Sequence, residues 1–310
     1  MSLGLILFLG VPPSLRGEVG ASEAPDAAGA TWPPELPGAQ VEVYKRVGDV
    51  ALNMYLFFPP DHDAQDRRSA VVFFFGGGWS GGTPAQFQHH CRYFAERGMV
   101  AMAADYRVRS RHQTPARVCV ADARSAVRWI RREAARLGVD PQRVVASGGS
   151  AGGHIAACTA LMDGFDEPGE DVSISARPDA LVLFNPVLVL APVKGQAAVD
   201  DRVLEHLRRR LGVEPSALSP YHHVRAGAPP TIVFHGRADE RVRYGTAEAF
   251  AAAMRQAGNR CELHGYEGQG HGFFNQGRSG NHYYKQTVQA ADEFLTSLGF
   301  LPEPGEDSRR

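Results

Sequence analysis

Ser147-Gly148-Gly149-Ser150-Ala151-Gly152-Gly153 follows the short β-branched run Arg143-Val144-Val145-Ala146 and opens into an apolar, helix-forming segment from His154 to Leu161. A strand, then Gly-x-Ser-x-Gly, then a helix is the context of a nucleophile elbow, in which the serine occupies a strained turn so that its Oγ projects above a sheet. Small neighbours let strand, helix and an incoming substrate approach without a Cβ clash. By itself the pattern suits a purely structural glycine-rich connection equally well. The remainder of the chain decides between the two.

Upstream, 41–47 and 51–58 flank Gly48-Asp49 and predict a β-hairpin. The continuous apolar run 70–75 suits a strand buried on both faces and leads directly into Gly76-Gly77-Gly78-Trp79. A helix is predicted over 84–97, a strand over 99–104, and a long helix over 115–137 whose stripe is Val118, Ala121, Ser125 and Trp129, ended by Gly138. Downstream of the elbow come strands at 180–185, 231–235 and 261–266, and helices at 246–256 and 282–298. A hairpin followed by alternating strands and helices predicts an α/β fold with a mostly parallel central sheet and helices on both faces. The segment 187–228 is longer than an ordinary connection and carries an amphipathic helix around 201–211. It reads either as a small lid insertion over the carboxyl ends of the strands or as a surface excursion.

An activated serine needs a base, a group that orients the base, and donors for an oxyanion. In a parallel α/β architecture the expected order is Ser, Asp or Glu, then His, each on a loop past a strand. The chain offers Ser150, Asp239 in His235-Gly236-Arg237-Ala238-Asp239, and His271 in Gly268-Gln269-Gly270-His271-Gly272-Phe273. Glu240 and Asp105 compete as acids. His264 and His282 compete as bases, but fall inside a strand and a helix. The oxyanion donors are expected to be the backbone N–H groups of Ala151, Gly77 and Gly78, since glycines let amides turn toward the substrate oxygen. Trp79 is expected to line the substrate pocket, with packing of the loop as its alternative. A phosphate-binding loop fails for lack of a Gly-Lys-Ser/Thr ending, and no GxGxxG opens a helix.

Composition is ordinary for a soluble globular protein. The 310 residues are 44% hydrophobic and 22% charged, with a formal net charge of −1, which gives no general attraction to nucleic acid or anionic membranes. The only lysines are Lys45, Lys194 and Lys285, so the basic character is arginine, clustered at Arg107, Arg109 and Arg111 and at Arg208–Arg210. Cys91, Cys119, Cys158 and Cys261 have no CxxC or metal-ligand spacing and read as buried thiols, with one disulfide between neighbouring helices as the alternative. The twelve histidines include two adjacent pairs and no HExxH, so no metal is expected. The apolar run 3–11 is too short to span a bilayer but suits the core of an export signal over 1–21, although no Lys or Arg precedes it. Residues 22–40 then read as a linker, 41–300 as the catalytic domain and 301–310 as a tail. A secreted or periplasmic location is expected, and a cytoplasmic one otherwise.

As a set, Phe75-Gly76-Gly77-Gly78-Trp79, Asp105-Tyr106-Arg107, Asp122 through Trp129, Gly148 through Gly153, the Asp239 loop and Gly270-His271-Gly272-Phe273 resemble the α/β-hydrolase superfamily. Within it they resemble the hormone-sensitive-lipase-like and small bacterial acyl-esterase branch, over about residues 41–298. Two departures stand out: Phe75 where the branch usually has His, and Gly149 where it often has Asp. The residues before Val41 read as a signal and linker, so the long N-terminal cap of lipase-like members is not expected here, which favours an open pocket. The resemblance implies a cofactor-free serine carboxylesterase acting on short- to medium-chain or carbohydrate-linked acyl esters. Carbohydrate deacetylation, amide or peptide hydrolysis, and a non-catalytic binding protein on the same fold are the alternatives.

Overall fold

A computed structural model describes residues 32–193 and 200–303. The expected export signal, most of the linker before residue 40, residues 194–199 of the insertion and the end of the tail lie outside the described residues. The chain forms strands β1 (Gln40–Val47), β2 (Val50–Phe57), β3 (Arg68–Phe74), β4 (Val100–Ala104), β5 (Val139–Gly149), β6 (Ala180–Phe184), β7 (Thr231–Gly236) and β8 (Cys261–Tyr266). Its helices are α1 (Gln88–Glu96), α2 (Arg109–His112), α3 (Ala116–Arg132), α4 (Ala151–Leu161), α5 (Asp201–Leu211), α6 (Tyr244–Gln256) and α7 (His282–Ser297).

All eight strands join one sheet in the order β1-β2-β4-β3-β5-β6-β7-β8. The pairs β1–β2 and β2–β4 are antiparallel, and every later pair is parallel. The hairpin closes through Gly48 at φ +54, a backbone angle for which a first turn residue without Cβ is suited. Strand β3 shows why the sheet is covered twice. Ala70, Val72 and Phe74 belong to the core shared with α3 and α4, while Val71 and Phe73 belong to the core shared with α1 and α7. With a period of two, an unbroken apolar run feeds both cores.

Two helices differ from expectation at their ends. The predicted helix over 84–97 opens as a 3₁₀ turn, Pro84–Phe87, before α1 begins. Helix α3 stops at Arg132 rather than at 137, although Ala134 and Leu137 remain buried in the turns that lead to Gly138 at φ +60. The expected stripe on α3 is also too narrow, because Cys119 through Ile130 are all buried. Arg124 and Arg128 both pair with Asp166, and Arg128 also with Glu170, so the segment after α4 covers what would have been the solvent face. The four cysteines are buried and unbonded, so the disulfide alternative is not realised. Among the described residues no helix is long and apolar enough to cross a membrane.

Candidate active site

Strand β5 ends at Gly149 and α4 begins at Ala151, leaving Ser150 alone at the corner with φ +54 and ψ −118. A non-glycine residue in this region costs on the order of 1–3 kcal/mol and persists only where its surroundings impose it. Here the Ser150 N–H donates to the carbonyl of Phe184 (2.9 Å) and the Ser150 carbonyl accepts from His154 N (3.0 Å). The turn is therefore locked between β6 and the first turn of α4.

The loops after β7 and β8 bring the other two residues to this corner. His271 Nε2 lies 2.9 Å from Ser150 Oγ, and His271 Nδ1 lies 2.8 Å from Asp239 Oδ2. A carboxylate only accepts, so Nδ1 carries the ring proton and Nε2 is left as acceptor for the serine hydroxyl. The other carboxylate oxygen, Oδ1, accepts from the N–H groups of Arg241 and Val242, both at 2.9 Å. A second imidazole, fully buried His235, places Nε2 3.3 Å from Asp239 Oδ2 and 2.7 Å from the Val242 carbonyl. Burial alone would raise the Asp239 pKa. The hydrogen bonds from His235, His271 and the Val242 N–H outweigh it and hold the carboxyl well below the usual range, so it stays ionised.

Opposite Ser150, the loop after β3 carries Gly77 at φ +129 and Gly78 at φ +61. A Cβ on Gly77 would stand 2.3 Å from the Gly81 carbonyl, so this turn accepts no side chain. Among the described residues, no protein acceptor meets the N–H groups of Gly77, Gly78 or Ala151. The Gly76 N–H, by contrast, is occupied by Gln86 Oε1 at 2.6 Å.

Trp79 sits deeper than a pocket wall, at 3% exposure. Its Nε1–H donates to His154 Nδ1 (3.1 Å), and His154 Nε2 is 2.7 Å from the Leu218 carbonyl. Indole only donates and a carbonyl only accepts, so His154 is the neutral Nε2–H tautomer. Burial pushes its pKa down to about 4. Trp79 is thus placed against the His154 ring, which it meets edge-on at 5.1 Å. From the insertion, α5 sends the Arg210 guanidinium to the Gly78 carbonyl (2.6 Å) and over the Trp79 ring.

The competing residues are elsewhere. Asp105 is buried against Arg111, Glu240 and His282 are exposed, and His264 lies 3.6 Å from Glu262. His154, His235, Gln86, Asn185 and Asn275 surround the site and were not singled out in the sequence. Only His235, four residues before Asp239 at a strand end, had a local signal. Among the described residues no group of three or more His, Cys, Asp or Glu could hold a metal ion.

The BD-FAE family model matches residues 54–254, well over half of the chain, and a model of the dienelactone hydrolase family matches residues 211–299. Esterase 2 of the planctomycete Thermogutta terrifontis is 58% identical and superposes with a TM-score of 0.86, covering 89% of this chain and 98% of that one. That esterase has also been solved with butyrate bound and phosphonylated by sarin. Two Mycobacterium tuberculosis proteins are more distant. Esterase LipQ is 29% identical over 76% of this chain, and carboxylesterase NlhH is 27% identical over 78% of it. The chain spans 59% of LipQ's length and 78% of NlhH's. The sheet order, the strained serine and these similarities together mean that the chain belongs to the BD-FAE family, on the esterase branch of the α/β-hydrolases.

Proposed function

We propose that this protein is a serine carboxylesterase that uses Ser150, His271 and Asp239 as its triad and short- to medium-chain acyl esters as its substrates. The single observation that carries the reading is the unbroken chain of 2.9 Å and 2.8 Å contacts from Ser150 Oγ through the His271 ring to Asp239. His271 Nε2 takes the hydroxyl proton as Oγ attacks the ester carbonyl, and Asp239 stabilises the imidazolium that forms. The carbonyl oxygen becomes an oxyanion held by the free N–H groups of Gly77, Gly78 and Ala151. When the tetrahedral species collapses, the alkoxide leaves with the proton from His271. Water then attacks the acyl-enzyme by the same steps in reverse order. No step calls for a metal or a cofactor.

The butyrate complex of the 58%-identical esterase supports a short acyl pocket, and its reaction with sarin supports a serine that organophosphonates can reach. We take 187–228 as a small lid, because Arg210 on α5 grips the loop that carries Gly77 and Gly78. Ser150→Ala is expected to abolish turnover of p-nitrophenyl butyrate while leaving the circular dichroism spectrum intact. A fluorophosphonate is expected to label Ser150 in the wild-type protein. A folded wild type that hydrolyses no ester and stays unlabelled would overturn the reading.

A further inference from the structure

A chain of amides that the proton transfers do not use runs between the glycine loop and the histidine loop. The Gly76 N–H donates to Gln86 Oε1 (2.6 Å), Gln86 Nε2 donates to Asn275 Oδ1 (3.0 Å), and Asn275 Nδ2 donates to the Gly272 carbonyl (2.9 Å). Its two ends are backbone groups of fixed polarity, an N–H and a C=O. Turning over either side-chain amide would set donor against donor or acceptor against acceptor, so both orientations are forced. The three bonds point the same way and polarise one another.

Both ends are themselves anchored. Gly272 directly follows His271 and donates its N–H to Asn185 Oδ1 (2.9 Å). Gly76 directly precedes Gly77, and the carbonyl of Phe75 accepts from Tyr106 Oη (2.6 Å). Phe75 itself is stacked on the Tyr106 ring at 4.0 Å and has no polar group with which to brace the glycine loop. Gln86 supplies that brace from the 3₁₀ turn ahead of α1.

We propose that Gln86 and Asn275 are positioning residues that fix the distance between the oxyanion donors and the catalytic imidazole, so that base and oxyanion cradle act on one carbonyl at once. This rests on the esterase reading of the same site. Neither side chain is assigned contact with substrate, so their loss is felt in the chemical step rather than in binding.

Gln86→Glu still accepts from Gly76 but cannot donate to Asn275. Asn275→Asp still accepts from Gln86 but turns an acceptor toward the Gly272 carbonyl. With p-nitrophenyl butyrate, each variant is expected to lose about 10- to 100-fold in kcat with KM held within about twofold, as misplacement of about 1 Å does. Fluorophosphonate labelling of Ser150 is expected to slow in parallel. The double variant is expected to lose no more than the worse single one, because the two residues form one connection. Gln86→Met, which removes both polar ends at similar volume, repeats the measurement should a charged variant fold poorly. Wild-type kcat in a folded variant, a loss carried by KM alone, or single losses that multiply in the double variant would each overturn the proposal. In any of these cases an active, labelled wild type leaves the esterase reading standing, whereas an inactive, unlabelled wild type removes that reading itself.

Discussion

Gly152 faces the sheet where no side chain has room: a Cβ there would stand 1.9 Å from the Phe74 carbonyl oxygen. This contact lets α4 start directly behind Ser150 and so sets how far the serine projects. Gly152→Ala must push α4 off β3, an overpacking cost of typically 1–3 kcal/mol or more. A urea midpoint well below wild type, with lost esterase turnover in the fraction that remains folded, is the expected result. Unchanged stability and turnover would show that the corner has slack. Ser150, Asp239 and His271, which the structure brings within hydrogen-bond distance of one another, could be singled out in the sequence because each sits in a local pattern: a strand, then a turn, then the residue. Gln86 and Asn275 had no such pattern. They are 189 residues apart, and an amide acquires meaning only when a fold brings a second one to it.

At the scale of elements, the strands were readable because apolar runs of four to eight residues bounded by glycine and polar turns leave few alternatives. Helix α5 was equally plain: Asp200 accepts from the Arg202 N–H at its start, and Gly212 ends it at φ +74. The end of α3 was not, since Ala134 and Leu137 prolong the helical period while the backbone has already turned. Nor did the sequence reveal what covers α3. Buried Asp122 receives both Lys45 Nζ from β1 (2.7 Å) and the Arg107 guanidinium (2.7 Å), and Glu167 closes the group from the segment after α4. This group ties the antiparallel hairpin to the parallel body. Asp122→Ala would leave two nearly buried cations without their main partner, a loss of about 3–5 kcal/mol. It should appear as a lowered chemical-denaturation midpoint. A midpoint equal to wild type would mean that Glu167 alone satisfies both cations.

For the whole molecule, the buried imidazoles set the response to acid. His90 is enclosed by Phe73, Phe87, Phe184, Phe274 and Tyr284, and neither of its ring nitrogens has a partner among the described residues. Burial pushes its pKa down to about 3, and that of His154 to about 4, from 6.5. Between about pH 4 and 6.5 the unfolded chain holds two protons on these rings that the folded chain refuses. Asp105 acts in the opposite sense, because burial raises it to about 7 from 3.8 and the folded chain keeps one proton there. Burial also lowers His62, His89 and His112 and raises Asp179, so lowered imidazoles outnumber raised carboxyls and stability rises with pH across this window, draining as pH falls through it. Thermal midpoints should therefore drop between pH 6.5 and 4.5. His90→Leu, which replaces an unsatisfied polar ring with an apolar side chain, should raise the midpoint and flatten that drop. An unchanged slope in this variant would assign the acid sensitivity elsewhere.

The four sulfhydryls have a consequence for how the folded chain meets oxidants and reductants. They stand apart inside the cores, and burial raises the pKa of all four, to about 12 for Cys261. Thiolate is the species that attacks oxidants and disulfides, and here almost none exists at neutral pH. The folded state therefore holds no disulfide that an oxidase must make or that glutathione could reduce. Once folded, this tertiary structure is indifferent to redox poise.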